Sequence, residues 1–413
     1  MTYFERLAAG LGLLLLAGVA GAEALQLQDA LRLAVTQHPT VAMRASQRDA
    51  AAEALDAAGR GRYPAFSGQT GKDAAGKNVF TLRIEQAVWT GGRITGEIAG
   101  ADAALRGAAA TVTESQQDIL LRTVSAYAEL GRYDASASAA RANVAEHERL
   151  YRLIGHRIDN QITSSSDGLL AEARLSQARA EFSQFNALRI RARARLGELV
   201  GTAVDAIASE PLRQGRPASL EAALEAATAF SPVLKRLAAQ EDGADADIQV
   251  RRGQALPQVK LRHDRTQGGD QPGSQTFLML EYQSGAGLAS LAAVRASEAR
   301  RQAARAERQA ALRDVVDAVG SDWADLVSFE AQARELHAQV AATTRVFESF
   351  VRQYAVGRKS WSEVLNAQRE TSQARYAHAD AAWSGWRAAL RLQIATGQLT
   401  AATLSDVSRT YPQ

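Results

Sequence analysis

The chain contains no cysteine and has little net charge. Its 413 residues carry 48 Lys and Arg against 45 Asp and Glu, which gives a formal net charge of +3. The absence of cysteine excludes thiol catalysis, disulfide frameworks, Cys-ligated zinc, iron–sulfur clusters and a lipidated N-terminal cysteine. Because the numbers of basic and acidic residues nearly balance, the composition indicates no basic surface, and we expect no nucleic-acid partner.

Long hydrophobic runs are lacking outside the N-terminus. Residues 1–22 contain Arg6, an apolar run over 7–20 and the small residues Ala20, Gly21 and Ala22. This run is shorter than the ~20 residues of a membrane-spanning helix and ends in a cleavage-type sequence, which favours an export signal over a membrane anchor. We therefore expect a signal peptide at 1–22, and any membrane insertion of the mature chain must use strands.

Catalytic and metal-binding motifs are also missing. The six histidines show no H-x-x-x-H or H-E-x-x-H spacing, and no P-loop, G-x-S-x-G or G-x-G-x-x-G sequence occurs. The serines at 164–166 have no neighbouring base, which favours a helix cap over a nucleophile. We expect no enzymatic activity, no cofactor and no metal site.

The chain does contain an internal duplication. Two sets of residues recur at constant offsets in the numbering, the first at an offset of 193 and the second at an offset of 196: Leu27, Ala30, Leu31, Ala34, Pro39 and Pro64, then Ala171, Ser176, Gln177, Ala178, Arg179, Leu196 and Gly201. These offsets predict a single domain at 23–413, made of repeat 1 at 27–201 and repeat 2 at 220–397 with a linker at 202–219. The insertion that changes the offset is expected between Pro257 and Phe277.

The placement of proline predicts long helices. No proline occurs over 65–210 or 273–411, and both stretches are rich in Ala, Arg, Leu, Glu and Gln. A stripe of small and apolar residues at alternating steps of three and four runs from Ala171 to Leu196, which is the coiled-coil period. One helix over 288–355 would span ~100 Å. We expect Trp383 and Trp386 to pack between such helices.

Each repeat also contains a predicted β-hairpin, at about 64–90 and about 257–284. Residues 79–85 and 258–263 alternate apolar with polar side chains, whereas the first strand, at 65–70, is weakly marked. Strands with one apolar and one polar face are typical of transmembrane barrels, although soluble hairpins remain the alternative. Since four strands cannot close a membrane barrel, membrane insertion requires an oligomer.

This organisation resembles the TolC-like outer-membrane efflux and secretion proteins. Three local matches support the resemblance: Leu27-x-x-Ala30-Leu31 followed by Pro39, the stretch from Gln86 to Gly92, and Tyr354-Ala355-Val356-Gly357-Arg358-x-Ser360-x-x-Glu363-Val364-Leu365-Asn366-Ala367. The resemblance implies a mainly α fold with a small β part, a two-repeat long-helix coiled-coil barrel with four transmembrane strands per chain. Three chains would form a 12-stranded outer-membrane β-barrel, in contact with lipid, and a periplasmic α-helical tunnel.

The resemblance also implies partners and a gate. The homotrimer would be a passive duct that docks on a periplasmic adaptor and an inner-membrane ABC transporter. Family proteins close the periplasmic end by bonds near the helix turns, and four residues align with that gate: Tyr354, Lys359, Ser166 and Asp167. Glu363 aligns with a pore-lining acid, whereas Asn366 replaces a second one and Gln161 replaces a turn glycine. Asp167 and Glu363 also suit helix N-terminal charges.

The second turn is the expected adaptor-docking site, made of Gly357, Arg358, Ser360 and Trp361. We expect Trp361 to be exposed in this basic turn, where an aromatic suits a binding anchor, with packing as the alternative. The sequence from this turn to Glu370 is similar to the branch of the family that serves type I protein secretion. Drug efflux, and a periplasmic coiled-coil structural or adaptor protein, are the alternative functions.

Overall fold

The computed structural model describes residues 24–208, 217–269, 272–282 and 289–404. The predicted signal peptide at 1–22 lies outside these residues, as do 209–216 of the predicted linker and 283–284 of the second predicted hairpin. The elements in chain order are α1 (Leu27–Gln37), α2 (Pro39–Arg60), β1 (Ala65–Lys72), β2 (Asn78–Trp89), α3 (Arg93–Asp159), α4 (Ser165–Val200), α5 (Leu220–Phe230), α6 (Pro232–Gln254), β3 (Gln258–Gly268), β4 (Gly273–Glu281), α7 (Ala289–Ala355) and α8 (Trp361–Ala395).

The element order is one six-element unit used twice. Two helices, a hairpin and two long helices run from α1 to α4 and again from α5 to α8. Helices α3 and α7 have 67 residues each and begin at Arg93 and Ala289, whereas α1 and α5 have 11 residues each and begin at Leu27 and Leu220. The predicted mainly helical two-repeat fold is therefore confirmed.

Each repeat begins with a helix that a proline interrupts. Pro39 and Pro232 stand at the first positions of α2 and α6, where the missing N–H breaks no helical hydrogen bond. The preceding residues cap the new helices, because His38 Nδ1 accepts from Thr40 N at 3.2 Å and Ser231 Oγ accepts from Leu234 N at 3.3 Å. The chain thus restarts as a capped helix after each break.

The long helices pack as two antiparallel pairs, α3 with α4 and α7 with α8, and α3 also contacts α6 and α8. At 67 residues, α3 and α7 are each ~100 Å long. The predicted stripe is buried at Ala171, Leu175, Ala178 and Leu196. None of the helices in the described part of the chain is long and apolar enough to cross a membrane.

The largest buried cluster joins α1, α3, α4 and α8. Trp386 lies edge-on to Trp383, with ring centroids 5.3 Å apart, and 5.6 Å from the ring of Tyr127. The packing role predicted for both tryptophans is confirmed. Gly131 permits this arrangement, because a Cβ atom at that position would overlap the Trp383 ring.

The two hairpins form one four-stranded antiparallel sheet in the order β1-β2-β3-β4. β2 and β3 pair across the repeats, with Arg83 opposite Asp264 and Glu85 opposite Arg262. The weakly marked first strand is present as β1. Among the described residues of one chain, β1 and β4 each pair on one side only, so the sheet has two open edges.

Candidate functional site: the helix turns and the sheet

The two long-helix turns meet at one end of the molecule. The α3–α4 turn covers 160–164, and the α7–α8 turn covers 356–360 at the equivalent place in repeat 2. A buried cluster joins the helix ends around both turns: Leu150, Ile154, Ala171, Phe347, Tyr354, Trp361, Val364, Leu365 and Ala367. The residues predicted for the gate and for docking therefore lie at this end of the helices.

The first turn is closed by short-range bonds. Gln161 has φ 57°, a left-handed conformation that favours glycine, and it takes the place of the expected turn glycine. Ser164 caps α4 by accepting from Ser166 N at 3.2 Å. The Thr163 hydroxyl donates to the Asp167 carboxylate. Asp167 thus lies in the first turn of α4, the position that suits a helix N-terminal charge.

The second turn has the same shape with different side chains. Gly357 has φ 73°, and Ser360 forms a capping box with Glu363, accepting from its backbone N–H at 3.3 Å. Lys359 Nζ donates to Glu363 Oε1 at 2.7 Å and lies 4.4 Å from the centre of the Phe350 ring. The Lys359 bond, followed by bonds from the Ser360 N–H and hydroxyl, lowers the pKa of Glu363 to about 2. Glu363 is therefore ionised at neutral pH.

Tyr354 is buried at the base of the second turn. The centres of the Tyr354 and Trp361 rings are 5.1 Å apart. The guanidinium carbon of Arg157 lies 4.9 Å from the centre of the Tyr354 ring. The phenol oxygen is buried and has no hydrogen-bond partner among the described residues. Tyr354 therefore contributes packing and a cation–π contact within one chain.

Trp361 is only 3% exposed, so the expectation of an exposed aromatic anchor is wrong. The indole belongs to the first residue of α8 and packs against Tyr354. Its Nε1–H donates to the main-chain carbonyl oxygen of Asp167 at 3.1 Å. This bond joins the start of α8 to the start of α4, which are elements of different repeats.

The predicted side-chain bonds from Tyr354 and Lys359 to Ser166 and Asp167 are not formed within the described chain. Lys359 pairs with Glu363 on the first turn of α8. The carboxylate of Asp167 accepts from Thr163, and the exposed Ser166 donates its backbone N–H to Ser164 Oγ. Local partners thus replace the predicted ones, and the Trp361 indole joins the two turns instead.

The other predicted docking residues lie on the surface. Gly357, Arg358 and Ser360 are exposed at the tip of the α7–α8 turn, and so is Asn366 on α8. Glu363 is partly exposed beside them. Their roles in docking and pore lining stay predictions.

Most of the exposed apolar side chains of the sheet lie on one face, and the ion pairs lie on the other. One face carries most of the exposed large apolar side chains: Phe66, Phe80, Leu82, Leu261, Leu278 and Leu280. On the other face, Arg83 pairs with Asp264 at 2.9 Å, and Glu85 accepts from Arg262 at 2.8 Å. Lys260 bridges Glu85 at 3.0 Å and Glu281 at 2.9 Å. The alternation predicted for the hairpins is thus present across the sheet.

Sequence reasoning missed two contributors to the turn end, Arg157 and Thr163. Thr163 and Asp167 occupy in repeat 1 the positions of Lys359 and Glu363, so the duplication could have identified that pair. Arg157 gave no comparable signal, because its contact with Tyr354 crosses between repeats. Among the described residues, no three or more His, Asp or Glu side chains form a cluster that could hold a metal ion.

The chain is similar to known outer-membrane channels. A family model described as outer membrane efflux protein matches residues 30–202. The outer membrane efflux protein BepC of Brucella suis biovar 1 (strain 1330) is 23% identical over 350 residues, 83% of this chain and 75% of that protein. The outer-membrane channel OprN superposes with a TM-score of 0.82 at 18% identity, over 90% of this chain and 89% of that chain. The outer membrane protein VceC of Vibrio cholerae superposes with a TM-score of 0.80 at 16% identity, over 90% of this chain and 96% of that chain.

The predicted resemblance to the TolC-like outer-membrane efflux and secretion proteins is confirmed by these similarities. The chain has the fold of an outer-membrane efflux channel and not that of an enzyme. The predicted location, in the outer membrane with periplasmic helices, is confirmed with it.

Proposed function

We propose, from the similarity to outer-membrane efflux channels, that three copies of this chain form the passive exit duct of a tripartite export machine. The observation that carries the proposal is the four-stranded sheet, which has two open edges and one exposed apolar face. Unpaired strand edges are not tolerated in lipid, so the edges must pair with other copies. Three chains supply 12 strands, within the range of transmembrane barrels.

In this proposal the apolar face contacts outer-membrane lipid and the charged face lines the lumen. Leu278 is 66% exposed and Leu280 is 70% exposed, fractions suited to lipid contact. The ion pairs around Glu85 and Lys260 keep the opposite face polar. The helices then form the periplasmic tunnel, with the mature chain at 23–413 acting as one domain of two repeats, at 27–201 and 220–397, joined by the linker at 202–219.

The barrel is tested by deleting residues 76–85, which removes most of β2. We expect loss of both outer-membrane insertion and the trimer, because β2 joins the two hairpins.

A matched pair of arginine substitutions then tests which face of the sheet contacts lipid. Leu278→Arg puts a charge on the apolar face, at a cost of about 2–4 kcal/mol near the bilayer centre, whereas Gln275→Arg lies opposite Asp264 on the charged face.

The readout is the amount of heat-modifiable trimer in outer-membrane fractions. Leu278→Arg should lower it strongly and Gln275→Arg should leave it close to wild type. A deletion variant that still inserts as a trimer, or equal yields for the two Arg variants, would contradict the barrel.

We place the gate of the duct at the two helix turns. The bond from Trp361 to the Asp167 carbonyl ties α8 to α4, so its loss should favour an open end. The residues predicted for the gate and the pore surround this bond: Tyr354, Lys359, Ser166, Asp167 and Glu363. Since the Tyr354 hydroxyl has no partner among the described residues, Tyr354→Phe is expected to change the gate less than a change at Trp361.

The gate is tested with Trp361→Phe, which keeps an aromatic ring and removes the indole N–H. Trp386→Phe is the matched control, because the buried Trp386 N–H has no partner among the described residues. We expect higher single-channel conductance in planar bilayers for Trp361→Phe and no change for Trp386→Phe. Equal conductance of wild type and Trp361→Phe, at equal trimer stability, would rule out this bond as the closure.

The periplasmic adaptor and the inner-membrane ABC transporter are the proposed partners. Gly357, Arg358 and Ser360 form the exposed tip that suits adaptor docking, and the buried Trp361 packs beneath it. Arg358→Glu should weaken adaptor recruitment, measured by cross-linking, while trimer yield stays constant. Recruitment equal to wild type would remove Arg358 from the docking surface.

The proposed cargo is protein, exported by type I secretion. This proposal rests on the similarity of residues 357–370 to the branch of the family that serves type I protein secretion. Small-molecule efflux is the second candidate, favoured by the similarity to the Brucella protein named an efflux protein. A strain lacking the chain separates them. Loss of a secreted protein from the medium with unchanged drug sensitivity supports secretion, and the reverse result supports efflux.

A further inference from the structure

The two long-helix pairs bring the same two positions face to face. In repeat 2, His337 of α7 and His378 of α8 have ring centroids 5.4 Å apart. The equivalent positions in repeat 1 are Arg141 of α3 and Phe182 of α4, and the guanidinium carbon of Arg141 lies 5.4 Å from the centre of the Phe182 ring. The juxtaposition is therefore a property of the repeated helix pair, and the residue types decide its chemistry.

The histidine pair is remote from the turn end. The stretches from His337 to Tyr354 and from Trp361 to His378 are equal in length and helical throughout. With the α-helical rise of ~1.5 Å per residue, each stretch is ~26 Å long. No role in the duct or the gate has been assigned to this level of the helices.

Imidazole is a preferred ligand of Zn²⁺, Cu²⁺ and Ni²⁺. Two imidazoles that share one tetrahedral zinc ion, each with an N–Zn distance of about 2.0–2.1 Å, have ring centroids about 5 Å apart. The observed separation of 5.4 Å is close to that geometry. We propose that His337 and His378 form a two-histidine site for a divalent transition-metal ion, with zinc as the representative.

The side chains one helical turn away from the pair are small. The residues at i±4 from each histidine are small, namely Ala333 and Ala341 on α7 and Ala374 and Ala382 on α8. His337 is exposed and His378 is partly buried, so an ion can reach the pair from solvent. Since no third His, Asp or Glu side chain joins the pair among the described residues, water completes the coordination sphere.

The expectation of no metal site rested on spacing within one helix. H-x-x-x-H and H-E-x-x-H describe ligands on a single helix face, whereas these histidines come from two antiparallel helices. A bound ion would tie α7 to α8 and stabilise the packed pair, because it binds that state and not the separated helices. This inference does not depend on the exported cargo.

The test uses purified trimer without a histidine tag, titrated with zinc chloride by calorimetry in a non-chelating buffer. We expect one ion per chain. His337→Gln and His378→Gln should each weaken binding by about tenfold or more, since each removes one of the two protein ligands. His156→Gln is the control, because His156 is an exposed helical histidine outside the pair. Thermal unfolding should show a zinc-dependent rise in Tm that both pair variants lose.

A designed gain of the site uses repeat 1. The double variant Arg141→His with Phe182→His copies the pair into α3 and α4, and we expect two ions per chain. A wild-type trimer that binds no zinc, or that binds with unchanged affinity in both Gln variants of the pair, would overturn the proposal.

Discussion

The α3–α4 turn and the α7–α8 turn have the same length, and a serine caps the second helix of each. Their side chains differ where the contacts are made: Ile158, Gln161, Thr163 and Ser165 in the first correspond to Tyr354, Gly357, Lys359 and Trp361 in the second. The backbone requirement of a helical hairpin is thus met twice, whereas the aromatic contacts and the Lys359–Glu363 ion pair occur in repeat 2. The two repeats thus share the fold of the turn and differ in the side chains that join one repeat to the other.

The largest expected difference between the turns is at their first helical residues. Trp361 is 3% exposed within the cluster at the turn end, so Trp361→Ala should cost ~3–5 kcal/mol. Ser165→Ala changes an exposed position and should cost less than ~0.5 kcal/mol. Denaturant unfolding of the purified trimers measures both. Similar midpoints for the two variants would contradict the asymmetry between the turns.

A smaller effect is expected from exchanging the left-handed residues. Gly357→Gln puts a side chain at φ 73° and should cost roughly 1–2 kcal/mol. Gln161→Gly removes that strain at φ 57° and should stabilise the first turn by up to about 1 kcal/mol, because glycine adopts this conformation freely. Opposite signs of the two shifts in unfolding midpoint are the expected result, and equal signs would show that the turns differ in more than this residue.

The smallest expected effect is a loss of stability at low pH, when Glu363 becomes protonated. The pKa of Glu363 is lowered from 4.5 to about 2, first by Lys359, so its contribution to stability is present above pH 4.5 and is lost as the pH falls toward 2. Lys359→Thr, which copies repeat 1, removes the first cause and should reduce the loss of Tm over this range. Lys359→Arg keeps the cation and is the control. Because the pair is partly exposed to solvent, the effect should also shrink at high salt.

Much of the fold could be predicted, because its signals can be read directly from the sequence. These are the long stretches without proline, the residues that recur at constant offsets, and the apolar residues at alternating steps of three and four. The burial of Trp361 could not, since it depends on Tyr354 and on the Asp167 carbonyl of the other repeat. The partner of Lys359 was available in the sequence, as Glu363 stands at i+4 on the same turn of the chain. A bond between the two turns is therefore present, but it joins different groups from those predicted.

The pairing of β2 with β3 has a consequence for how the chain reaches its native state. Arg83 and Asp264 are opposite each other although they belong to different repeats, far apart in the sequence. Helical contacts within each repeat are far more local, so the helices can form early, whereas the central strand pair must wait for the second repeat. Until then each hairpin has open edges and an uncovered apolar face, the features that promote aggregation. Strand joining is thus the step at which the newly made chain most needs protection from association with its neighbours.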